Sequence, residues 1–136
     1  TLGGVVSGTG NIYKYGSGDV SLAGLGANTF AGTTYALGGI LRLGQYTLGP
    51  GFQFLGATAI PGNLVIGDFT SGVIGDIVVL ERDNQIADTA TVSVQSTGSL
   101  ELSNEDDLVG TLRFTRSFSR YPVRKNCLSP GAWRLK

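Results

Sequence analysis

Apolar and polar residues alternate along this chain in runs of only four or five positions. These runs are the period-2 signature of half-buried strands and are too short for a 3.6-residue helical stripe. They fall at 11–15 (NIYKY), 19–22 (DVSL), 39–43 (GILRL), 63–66 (NLVI), 76–80 (DIVVL), 91–95 (TVSVQ) and 99–102 (SLEL). Gly, Asn, Asp or Ser bounds each run, supplying turns and positive φ. Glycines and β-branched residues interrupt every window long enough for an amphipathic helix. The pattern therefore predicts an all-β chain of many short strands.

The spacing of the runs narrows the architecture. Leu22, Leu43 and Ile66 each end a similar phrase and stand 21 and 23 residues apart, while Ile12 and Val20, like Val92 and Leu100, stand 8 apart. A repeat of about 20 residues marks a solenoid whose coils each contain several short strands. In a parallel β-helix each coil lies on the one before, with small residues at the tight corners. That accounts for the dense glycines of GLGANTFAGTTYALGGILRLGQ (24–45), whose ILRL segment is one strand in which Ile40 or Leu41 competes, with Leu43, for the interior. The interior pool is Val20, Leu22, Leu41, Leu43, Leu64, Ile66, Val78, Val92, Val94, Leu100 and Leu102. Alternation favours all of these except Val20 and Val78.

Composition supports a folded chain. Of 136 residues, 41% are hydrophobic and 15% charged, which excludes the signature of a disordered polymer. No apolar run approaches the roughly 18 residues of a spanning helix. Methionine is absent and no signal-peptide pattern is present, so a processed or excised piece of something longer is expected. The single Cys127 can form no internal disulfide, which suits a secreted bacterial protein at least as well as a cytosolic one. A net charge of zero conceals an asymmetry: residues 1–111 hold three basic and ten acidic residues, whereas 112–136 hold seven basic residues and no acid. Glycine shifts at the same place, 21 of 22 lying at or before Gly110. Two regions follow, a β-helix segment over 1–112 and a basic, aromatic-containing tail over 113–136.

The segment GSGDVSLAGLGANTFAGTTYALGGILRLG (16–44) resembles the autotransporter-associated β-strand repeat. The positions that carry the likeness are Leu22, Gly26-Ala27-Asn28-Thr29-Phe30, Gly32-Thr33-Thr34, Gly39 and Leu41-Arg42-Leu43. AIPGNLVIGD (59–68) and DNQIADTATVSVQSTGSLELSNEDDLVGTL (83–112) are similar to the segment that follows such repeats. The resemblance covers 7–112 and implies a right-handed parallel β-helix of about five coils from the passenger region of a type V secreted protein. It also implies an extracellular or bacterial cell-surface location. After LVGTL the family would continue with another Gly-rich coil. Here RFTRSFSRYPVRKNCLSPGAWRLK follows, an irregular tail that can be a cap, an arm or a non-native reading frame.

Chemistry is sparse. With no histidine, and with its one cysteine in the tail, the chain lacks the parts of Ser-His, Cys-His and histidine-metal sites. The remaining candidates are Asp68, Asp76, Glu81, Asp83 and Asp88, which can cluster on adjacent coils as acid, base or calcium ligands but are favoured as turn residues. NEDD (104–107) lacks the spacing of a calcium loop and reads as a solvated acidic turn. GTGNIYKYGSG (8–18) lacks the Gly-Lys-Ser/Thr of a phosphate loop; its Tyr13 and Tyr15 must face solvent or a neighbour. Arg113, Arg116, Arg120, Arg124 and Lys125, interleaved with Phe114, Phe118 and Tyr121, suggest an anionic partner. The acidic coils of this chain or of the next molecule are the favoured partner, and no nucleic acid is expected. Cys127 beside Lys125 reads as a bystander thiol.

No catalytic, cofactor or metal residue is assigned, and no enzymatic activity is expected. The expected function is a structural stalk that stacks head to tail on itself or on neighbouring passenger coils, with Phe114, Phe118 or Trp133 available to cover an exposed end. The alternative is a carbohydrate-binding or carbohydrate-cleaving β-helix, which would show a groove lined with carboxylates and aromatics. An ice-binding solenoid would need a Thr-x-Thr ladder, and TFAGTT (29–34) is not repeated at the coil period.

Overall fold

A computed structural model of the chain describes residues 1–69 and 75–115, together with the backbone of 125–129 and 132–135. The strands that form its body are β1 (Ile12–Lys14), β2 (Asp19–Leu22), β3 (Thr34–Ala36) and β4 (Gly39–Leu43). An added pair, β5 (Tyr46–Leu48) and β6 (Phe54–Gly56), comes next, and the body resumes with β7 (Leu64–Ile66), β8 (Asp76–Leu80), β9 (Thr91–Val94) and β10 (Gly98–Leu102). The chain then runs through β11 (Asp107–Val109), β12 (Thr111–Phe114), β13 (Lys125–Ser129) and β14 (Ala132–Leu135). No helix occurs among the described residues.

Successive body strands alternate between two parallel sheets. One sheet has the order β1-β3-β7-β9-β12 and the other β10-β8-β4-β2. Each strand thus pairs with its counterpart from the next pass of the chain, not with its neighbour in sequence. The registers place Ile12, Thr34, Leu64, Val92 and Leu112 in one row, and Leu22, Leu43, Leu80 and Leu102 in another. Both rows point inward because the side-chain period of a strand is two residues. The bridges Leu25 to Tyr46 and Ile60 to Ile86, also parallel, link successive passes away from the two sheets.

The core matches the expected alternation closely. Leu22, Leu41, Leu43, Leu64, Ile66, Val92, Val94 and Leu100 are buried. Two expectations are corrected. Val78 is fully buried beside Leu80, whereas Leu102 is half-buried because β10 is the last strand of its sheet and lacks a neighbour on one side. The spacing of 23 from Leu43 to Ile66 is a coincidence of length: Ile66 aligns with Ala36 in the other sheet, and the partner of Leu43 is Leu80. The β5–β6 insertion displaces the phase of every later strand.

The glycine-rich corners have a steric origin. A methyl group on Gly32 would sit 2.2 Å from the carbonyl oxygen of Gly10, and one on Gly62 would sit 2.2 Å from that of Gly32. Three passes therefore stack backbone on backbone at this corner, which a side chain would force apart. Beside it, Asn11 Oδ1 accepts a hydrogen bond from Thr33 N and Asn63 Oδ1 one from Thr91 N, both at 2.9 Å, so each asparagine ties its pass to the next.

The tail departs from expectation. Strand β12 continues the parallel stack through Arg113 and Phe114, pairing with β9 across the expected boundary at 112/113. Beyond it the chain is not irregular throughout, since β14 pairs antiparallel with both β11 and β13. Hydrogen bonding to β11 gives this segment a strand partner that its composition did not announce. Arg116, Phe118, Arg120, Tyr121 and Arg124 lie outside the described residues, and for Lys125, Cys127 and Trp133 only the backbone is described.

Candidate functional site

The five candidate carboxylates do not converge. Asp68 and Asp76 meet at Thr97, whose hydroxyl donates to Asp76 Oδ2 at 2.5 Å, lies 3.3 Å from Asp68 Oδ1 and accepts the backbone N–H of Asp68 at 2.8 Å. Glu81 lies on the outer surface, where Arg42 reaches it at 3.4 Å and Asp19 at 3.3 Å. Asp83 accepts the backbone N–H of Asp106 at 2.7 Å, and Asp88 is exposed. Among the described residues no group of three or more Cys, Asp or Glu is arranged to hold a metal ion.

The acidic turn at 104–107 divides. Glu105 turns toward Asp83, and its carboxyl is raised above the ordinary value by burial, by the hydrogen bond with Asp83 and by the charge of Asp83. Asp107 corrects the reading of this segment as a solvated turn: it is buried, its Oδ2 accepts Gln85 N at 2.7 Å and Ile86 N at 2.9 Å, and its Oδ1 accepts Leu108 N at 2.8 Å. Those three backbone donors replace the water it gives up. Burial nevertheless pushes its carboxyl up to about 7, against the donors that pull it down.

Asp107 ends a buried polar ladder that crosses the passes of the chain. Val6 N donates to Asn28 Oδ1, and Asn28 Nδ2 donates to Ala59 O, both at 2.9 Å. Gln45 Nε2 donates to the same Asn28 Oδ1 at 2.8 Å. Gln45 and Gln85 then form a reciprocal pair, Gln45 N donating to Gln85 Oε1 at 2.8 Å and Gln85 Nε2 donating to Gln45 O at 3.0 Å. Each side chain occupies backbone groups that strand pairing leaves open at the third side of the fold. A second buried polar group, Lys14, points inward from β1 and donates to the carbonyls of Tyr15, Gly16 and Gly38. The segment 8–18 is thus a corner whose lysine is consumed internally. Tyr13 and Tyr15 point outward as the alternation requires, Tyr13 stacking on Tyr35 at 4.8 Å and on Tyr15 at 6.1 Å between centroids.

A concave feature of mixed chemistry lies beneath the β5–β6 hairpin. Residues 46–56 leave the body at a neck closed by Ala57 N donating to Gln45 O at 3.0 Å. The hairpin registers Leu48 with Phe54 and Tyr46 with Gly56, and its turn uses Gly51 and Phe52 at positive φ, closed by Gly49 N donating to Gln53 O at 2.8 Å. Thr47, Phe54, Leu55 and Gly56 form one wall of a cleft of about 380 Å³; Glu81, Arg82, Asp83, Asn84 and Glu105 form the other. The Arg82 guanidinium lies 5.4 Å from the Tyr46 ring centre and 5.7 Å from that of Phe54. The two rings, both on the hairpin, meet edge to face at 5.2 Å, and Arg82 reaches them from the opposite wall. Sequence reasoning missed this site, although Glu81 and Asp83 were among its candidates. The available signal was the Gly-Pro-Gly of 49–51 between two aromatic-bearing runs.

Comparison of the chain with protein-family models, with curated proteins and with solved structures found no match.

Proposed function

We propose that the chain is a right-handed parallel β-helix of about five coils, serving as a rod or stalk segment of a secreted or cell-surface passenger of the autotransporter type. The observation that supports this reading is the in-register stacking of one pass on the next in both parallel sheets. A section that repeats by backbone hydrogen bonding grows in length without changing its cross-section. The right hand follows from the general rule for parallel crossovers. About five coils at ~4.8 Å each make a rod of about 25 Å.

Such a rod also stacks end to end. Strands β1 and β12 terminate one sheet, and β2 and β10 the other, and among the described residues their outer edges meet no further strand beyond the Leu2 bridge to Leu22. Open edges of this kind pair with other chains, and a heterologous contact that does not close propagates as a fibre. Sedimentation and electron microscopy of the full chain beside a form ending at Thr115, which keeps β12, test this. Filaments are expected from the full chain if the basic tail bridges neighbours, or from the truncated form alone if the tail is a cap. Monomers from both at high concentration would remove self-association, and an experimentally determined antiparallel sandwich would end the rod reading.

A further inference from the structure

We infer that the cleft beneath the β5–β6 hairpin binds a neutral oligosaccharide, with a pyranose ring against Phe54 and its hydroxyl groups held by Asp83, Asn84 and Glu105. The body does not need the hairpin. Gln45 and Ala57 close the neck by a backbone hydrogen bond, and Gln45 and Gln85 continue the polar ladder past it. The insertion instead places large apolar side chains in solvent, with Phe52 84% and Phe54 61% exposed. A two-stranded hairpin has little stability of its own; backbone hydrogen bonds of Tyr46 with Gly24 and Gly26 tie its base to the body, and Arg82 lies over Tyr46 and Phe54.

The lining selects the ligand class. About 380 Å³ falls in the range of a small-ligand site and is too small for a folded partner. An apolar ligand would strip water from the Glu81, Asp83 and Glu105 carboxyl groups without offering them new hydrogen bonds, which is costly. An acidic ligand would meet three carboxyl groups against the single guanidinium of Arg82, itself already set over two rings. A pyranose offers an apolar face that fits an aromatic ring, and vicinal hydroxyl groups that donate to carboxylates and accept from the Asn84 amide. Asp83 and Glu105 both line the wall opposite Phe54, where their carboxyl oxygens can accept from those hydroxyl groups. This inference is independent of the rod: its failure leaves the stacked sheets untouched.

Titration of the ¹⁵N-labelled full chain with cellotetraose, chitotetraose and mannotetraose, and separately with tetragalacturonate, tests it. At least one neutral tetrasaccharide is expected to shift amides confined to 46–56, 81–84 and 105. Phe54→Ala, and Asp83→Asn combined with Glu105→Gln, should each weaken that binding about tenfold or more, while Phe52→Ala leaves it unchanged. If Phe54→Ala perturbs amides outside the hairpin, the double variant decides. No shift with any neutral tetrasaccharide at about 10 mM, binding of tetragalacturonate alone, or affinity unaffected by the double variant would overturn the proposal.

Discussion

The two parallel sheets and the β5–β6 hairpin are made of similar residues used in opposite ways. In β4, Leu41 and Leu43 are buried and Arg42 between them faces outward, whereas in the hairpin Leu48, Phe54 and Leu55 are all exposed. A body strand has a neighbour from another pass on its face and at its edge. Beyond Tyr46, which bridges to Leu25, a hairpin strand has only its partner, so alternation cannot hide its apolar side chains. Hydrophobicity alone therefore does not identify the core of this chain. What identifies it is alternation that persists from one pass to the next.

Four substitutions or conditions sharpen that contrast. The largest effect is expected from Leu64→Ala, which removes a fully buried side chain from the centre of the five-stranded sheet and should lower stability by about 2–5 kcal/mol in chemical denaturation. Gln85→Ala follows at about 1–3 kcal/mol, because it strands the buried N–H of Gln45, whose C=O keeps the donor Ala57 N. A loss as small as that of a surface change would show that water enters the ladder.

The third effect is in pH. Burial raises Asp107 from 3.8 to about 7, so its contribution to stability is whole below 3.8 and is lost as pH rises through about 7. The unfolding midpoint should fall between about pH 5 and about pH 8, and Asp107→Asn should flatten that slope. A wild-type slope of opposite sign would mean that the three backbone donors outweigh burial. The smallest effect belongs to the hairpin: Phe54→Ala should change global stability by no more than about 0.5 kcal/mol. A loss comparable to that of Leu64→Ala would show that the hairpin is an integral part of the body.

The same contrast explains what the sequence revealed. Strands β2, β4 and β8 are legible with their limits because the short runs DVSL, GILRL and DIVVL are set off from their surroundings, and in the first two Leu22, Leu41 and Leu43 face inward as the alternation expects. Strand β3 is not, since Thr-Tyr-Ala carries no apolar period, and its place is set by pairing with β1 and β7. The polar ladder was invisible for a different reason. Asn28, Gln45, Gln85 and Asp107 are residue types that ordinarily belong to surface turns, and only the third dimension shows them facing backbone groups of other passes. The cleft was half legible: its acids were noticed, but the hairpin that faces them interrupts the repeat and so looked like a lapse in the pattern.

The closed neck at Gln45 and Ala57 also bears on inheritance. Because the body joins across the insertion, mutation can lengthen, shorten or exchange residues 47–55 without resetting the passes on either side. Doubling the length of such a loop adds only about 0.6 kcal/mol of closure entropy. Lineages descending from one ancestral chain are therefore expected to diverge most in length and sequence between these two residues, while the flanking passes change slowly.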